Sequence, residues 1–97
     1  MKHVFENNVL TIFLEGELNS SSSKAVEEEI DAILAANNPS KVVLDLKDLR
    51  YISSAGLRII VRIKQRYDDT SLVNTPKPVY EIFKMVGFQN MIKIETL

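Results

Sequence analysis

Val42-Val43-Leu44-Asp45-Leu46-Lys47-Asp48-Leu49-Arg50-Tyr51-Ile52-Ser53-Ser54-Ala55-Gly56-Leu57-Arg58 decides the architecture of this 97-residue chain. Val42 to Leu46 form the short, mostly apolar run that a central strand requires. Lys47 to Tyr51 read as a connection, and the next helix is predicted from about Gly56 to Tyr67. In it Ile59, Ile60, Ile63 and Tyr67, with Leu57 beside them, make one apolar stripe. Arg58, Arg62, Gln65 and Arg66 fall on the opposite face. A strand running through a loop into an amphipathic helix is the repeating unit of a parallel sheet.

Toward the amino terminus, Val4 and Phe5 precede Asn7-Asn8, a pair that tolerates positive φ and suits a tight hairpin turn. Val9 to Leu14 then form a β-rich run closed by Gly16. Apolar residues on both of its faces predict a strand covered on both sides. Ser20 to Ser23, followed by Lys24-Ala25-Val26-Glu27-Glu28-Glu29, read as a helix start in which serine side chains cap free amides. Val26, Ile30, Ile33 and Leu34 give that helix its buried face, and Asn37-Asn38-Pro39 stops it. Toward the carboxyl terminus, Ser71 to Val73 form another strand. Thr75 is expected to cap a third helix, with Pro76 near its first position. Val79, Ile82, Phe83 and Val86 are its apolar stripe. Gly87 stands where a left-handed helix end is needed, with Phe88 available for the accompanying contact. Met91 to Ile94 close the chain as a strand. The order ββαβαβαβ predicts an α/β fold, a mixed sheet of about five strands with three main helices, in a single domain over residues 1–97.

Composition narrows the function. The chain is 45% hydrophobic and 26% charged, as in soluble globular proteins. Twelve basic against 13 acidic residues leave a net charge of −1, which supplies no global attraction to nucleic acid or to an anionic membrane. The absence of cysteine excludes disulfides, thiolate metal sites and cysteine nucleophiles. Met1 to Glu6 lack the apolar core of a signal peptide, and no apolar run approaches the roughly 20 residues of a membrane helix. The cytoplasm is therefore the expected location.

The chemistry concentrates at Ser53-Ser54-Ala55-Gly56. This segment follows the carboxyl end of a strand, where open α/β sheets usually bind ligands. Both serines are expected just before the helix, where backbone amides lack partners. Gly56 would remove side-chain obstruction to close approach. A phosphate on either serine would meet the positive helix end and add about −1.5 to −2 charges at pH 7. The plain alternative is that the serines only cap the helix. Local chemistry leaves both open.

The stretch from Val42 to Arg58 resembles the STAS family, which includes the bacterial anti-sigma factor antagonists. The family pattern is a hydrophobic strand, a linker ending in an aromatic or apolar pair, and then Asp-Ser-Ser/Ala-Gly-Leu, here Ser53-Ser54-Ala55-Gly56-Leu57. Gly16-Glu17-Leu18-Asn19 resembles the family's Gly-x-Leu-Asp, and Val86-Gly87-Phe88 its ending to a late helix. The resemblance implies a STAS-like domain that is not an enzyme. Its implied partners are an anti-sigma factor that is also a serine kinase, and a cognate phosphatase. It matches Ser54 to the phosphoacceptor, with Ser53 as the alternative. It assigns partner binding to Asn19, Ser20, Ser53, Ser54, Ala55, Gly56 and Arg58. Ser53 and Asn19 each stand where many members carry an acid, which leaves less negative charge around Ser54. The alternative function is a scaffold or output subunit that binds without phosphorylation.

The remaining candidates have simpler readings. Arg58, Arg62 and Arg66 either dock an acidic partner or hold the phosphoserine, or else form a solvated helix face. Glu27, Glu28 and Glu29 are consecutive on a helix, so they diverge and form no metal cage. His3 has no second histidine or cysteine with which to hold zinc. A relay of Ser54, His3 and Asp45 would need three distant segments to converge, with no Gly-x-Ser-x-Gly motif in support. No phosphate-cradling Gly-rich loop is present, and no cofactor is expected.

Overall fold

A computed structural model describes the whole chain, residues 1–97. β1 (His3–Glu6) and β2 (Val9–Leu18) form the predicted hairpin. Asn7 and Asn8 take φ of 52° and 64°, the left-handed pair that a two-residue turn demands and asparagine tolerates. Then follow α1 (Ser23–Asn37), β3 (Lys41–Ile52), α2 (Ser54–Arg66), β4 (Thr70–Thr75), α3 (Lys77–Met85) and β5 (Lys93–Thr96), with a short 3-10 turn at Phe88–Asn90.

The strands lie side by side in chain order, β1-β2-β3-β4-β5. β1 is antiparallel to β2, and the other neighbours are parallel. Every parallel crossover therefore steps in the same direction, and right-handed crossovers put all three helices on one face. The burial pattern agrees. Leu10, Ile12 and Leu14 of β2, Val42, Leu44 and Leu46 of β3, and Leu72 of β4 are buried on that face. They cluster with Ile30 and Leu34 from α1, Ile59, Ile60 and Ile63 from α2, and Val79 and Phe83 from α3. β2 is thus covered on one side, not two. Its other face carries half-buried Val9, Thr11 and Phe13, with the Lys2 ammonium 4.9 Å from the Phe13 ring centroid.

β2 and β3 both run further than their sequence pattern suggests. Gly16 does not end β2. At φ +75° it sits between two register shifts that carry the strand on to Leu18. Across these shifts the pairing moves from Phe13↔Asp45 to Gly16↔Leu49 and then to Leu18↔Ile52. β3 thus takes up two extra residues as bulges. Its buried positions change from every second residue (Val42, Leu44, Leu46) to every third (Leu46, Leu49, Ile52). The expected connection at 47–51 is therefore strand.

Two helix starts also differ from expectation. α2 begins at Ser54, with Ser53 as its N-cap residue. α3 begins at Lys77 behind Pro76, with Pro78 in its first turn, because Thr75 is held as the last residue of β4 opposite Thr96. Gly87 takes the anticipated left-handed conformation at φ +76°, and Phe88 stacks on Phe83 at 5.3 Å between ring centroids. Val86, expected in the apolar stripe, is exposed. No helix is long and apolar enough to cross a membrane.

Candidate partner-binding site at the joined ends of β2 and β3

The pairing of Leu18 with Ile52 brings the residues that follow each strand next to one another. The Ser53 N–H donates to the Leu18 carbonyl at 2.8 Å. The Asn19 loop and the Ser53-Ser54 helix start therefore form one continuous surface at the carboxyl end of the sheet.

The Asn19 loop is built by asparagine and not by the serines. Asn19 Oδ1 accepts from the Ser21 and Ser22 amides at 2.9 and 3.1 Å, an Asx turn. Its carbonyl accepts from the Ser22 and Ser23 amides. Ser22 is the N-cap residue of α1 but makes no side-chain cap bond. Its hydroxyl instead donates to the Glu17 carbonyl at 2.9 Å and accepts from the Asn19 amide at 3.1 Å. This network holds Ser20 and Ser21 outward, both exposed.

Neither serine at the start of α2 acts as the side-chain cap that the sequence allowed. Ser53 has extended φ and ψ of −94° and 176° and makes no cap bond. Its Oγ is buried and has no hydrogen-bond partner. Ser54 is the first residue of the helix and is exposed. No acidic side chain lies in the first turn of α2, where the leading amides have no intrahelical acceptors.

Gly56 has a different role from the expected one. It is buried, and a Cβ there would stand 2.7 Å from both Ile52 Cγ1 and Leu18 Cγ. The missing side chain lets α2 close onto the two strand ends. It does not open a path for phosphate.

The arginine stripe divides into two parts. Arg62 pairs with Glu27, and Arg66 with Asp31 at 3.5 Å, so these two bridge α2 to α1. Arg58 is exposed and takes no part in the salt bridges of the chain.

The structure does not assemble a Ser54–His3–Asp45 relay. His3 pairs with Ile12, on the core face of β2, whereas Asp45 pairs with Phe13 on the other face. Asp45 is engaged by the Asn74 amide at 2.9 Å and the Lys47 backbone N–H at 3.0 Å. No three His, Cys, Asp or Glu side chains are grouped as metal ligands would be.

A mixed sheet, parallel from β2 to β5, with every helix on one face and a serine-bearing loop pair at its carboxyl edge, defines a class, and the STAS domain model matches residues 2–96. The chain belongs to the STAS domain family. It is 32% identical to BtrV of Bordetella bronchiseptica over 92 residues, covering 91% of this chain and 78% of BtrV. It is 28% identical to the anti-sigma F factor antagonist of Paenibacillus polymyxa over 98 residues, covering 97% of this chain and 82% of that protein. The Bacillus anti-sigma factor antagonist SpoIIAA shares the fold at 16% identity. Its unphosphorylated form superposes with a TM-score of 0.77, covering 98% of this chain and 87% of SpoIIAA. Its phosphorylated form gives 0.66, covering 98% and 92%.

Proposed function

We propose that this chain is an anti-sigma factor antagonist, one STAS domain over residues 1–97, working in the cytoplasm. It binds a kinase-type anti-sigma factor through the surface formed by Asn19, Ser20, Ser53, Ser54, Ala55, Gly56 and Arg58. The kinase releases it by phosphorylating Ser54, and a phosphatase restores the binding form. In that transfer the Ser54 Oγ forms a bond to the γ-phosphorus of ATP. The bond from that phosphorus to the bridging oxygen breaks, ADP leaves, and the hydroxyl proton passes to a base of the kinase. The chain itself is a substrate and a ligand, not a catalyst.

The observation that carries this reading is the contrast between the two serines. Ser54 is exposed at the first position of α2, while the Ser53 Oγ is buried among the strand ends. A kinase reaching this edge meets Ser54 and not Ser53. The flanking amides and the helix dipole accommodate the new charge, and the helix persists while its outer surface gains about −1.5 to −2 charges beside Ser54. Within the site, Ser53 and Gly56 then support the surface and Ser20, Ser54 and Arg58 meet the partner.

The test is incubation with the kinase-type anti-sigma factor and ATP, followed by mass spectrometry of the modified peptide. Phosphate at Ser54, absent in Ser54→Ala, is expected. Phosphate at Ser53, or none at either serine, contradicts the switch. Partner binding that ignores both Ser54→Ala and Ser54→Asp would instead mark a phosphorylation-independent scaffold.

A further inference from the structure

We infer that Arg58 is the intramolecular partner of the phosphate on Ser54, so that phosphorylation withdraws a free arginine from the docking surface as well as adding negative charge. The inference rests on the proposed phosphorylation of Ser54 and names how that site is read.

Arg58, Arg62 and Arg66 are spaced four residues apart and share one face of α2. The last two are committed to α1, through Glu27 and Asp31. Arg58 alone of the three has no carboxylate partner and is exposed. Ser54 lies four residues before it, so the two Cβ atoms are neighbours at roughly 5–6 Å. Helical side chains lean toward the amino terminus and cover the preceding turn. The Arg58 side chain can therefore reach back over the turn of α2 that carries Ser54. No acidic side chain in the first turn of α2 competes for it.

Before phosphorylation Arg58 presents its planar donor fork outward, suited to a carboxylate of the partner. A phosphate on Ser54 offers the same fork a nearby dianion and bidentate, charge-assisted hydrogen bonds. The local surface then loses its available cation. A partner carboxylate that had paired with Arg58 faces a phosphate in its place.

The experiment installs phosphoserine at position 54 during translation and follows its ionisation by phosphorus NMR across pH. The ordinary second ionisation lies near pH 6. An adjacent cation favours the dianion, so Arg58→Ala should raise the midpoint by about half a unit to one unit. Arg62→Ala, which removes the arginine held by Glu27, should leave it in place. Arg58→Lys, with charge but no fork, should fall between Arg58→Ala and the parent. The same midpoint in Arg58→Ala and the parent would overturn the pairing. Because the phosphate is installed directly, this outcome is independent of whether a kinase modifies Ser54.

Discussion

Gly56 sets how closely α2 approaches the sheet. With Leu18 and Ile52 each 2.7 Å from the position a Cβ would take, Gly56→Ala must push apart two buried side chains at the point where the loops meet. Overpacking of this kind costs about 1–3 kcal/mol, and alanine's better helix propensity returns at most about 1 kcal/mol. A net loss of stability is expected in urea unfolding, and an unchanged midpoint would contradict the packing role. Ser53 gives the opposite sign. Its Oγ is buried without a partner, so Ser53→Ala removes an unsatisfied group and forfeits no cap bond. The same unfolding assay should show no loss, where a working serine cap would lose about 1 kcal/mol. Both residues stood out in the sequence as part of one motif. Their separate roles were not legible there, because a glycine needed for packing and one needed for ligand approach leave the same letter.

The extended ends of β2 and β3 build the site, and they are where the sequence pattern was hardest to read. The two bulges change the spacing of buried residues in β3 from two to three, at Leu46, Leu49 and Ile52. Lys47-Asp48 and Arg50-Tyr51 therefore interrupt the alternation and resemble a loop. The hairpin, by contrast, was legible from Asn7-Asn8, and the left-handed end of α3 from Gly87, since both depend on backbone conformations that few residues tolerate. The loop before α1 depends on Asn19 for its fold. Asn19→Asp keeps the Oδ1 acceptor for the Ser21 and Ser22 amides, and should retain stability and slow hydrogen exchange at those amides. Asn19→Ala loses both bonds and should cost about 1 kcal/mol while speeding that exchange. Equal exchange in the two variants would contradict the Asx turn. Arg62 and Arg66, although they link α1 to α2, are mostly exposed pairs. Arg62→Ala should cost less than about 1 kcal/mol.

At the scale of the whole molecule, the strand order explains why the site lies at one edge of the sheet. Strands in chain order with right-handed crossovers leave all helices on one face and all strand-to-helix loops at one end. The alternation of strands and helices was readable from the sequence, and with it the position of Ser53-Ser54 beyond a strand's carboxyl end. The one-sided covering was not, because Val9 and Phe13 look as apolar as a buried face, and only the strand order leaves them half-buried on the side without helices. The core itself is narrow. Leu44 is fully buried between Ile12 and Leu72, and Leu44→Ala should cost about 2–5 kcal/mol, a large part of the 5–15 kcal/mol that a domain typically has. The function proposed for this edge turns on whether a phosphate at Ser54 changes partner binding. The direct measurement is the affinity of the kinase-type anti-sigma factor for the unmodified chain and for the chain carrying phosphoserine at position 54, by calorimetry in the same buffer. A loss of at least tenfold on phosphorylation, about 1.4 kcal/mol, is the expected result. Equal affinities for the two forms would contradict the switch.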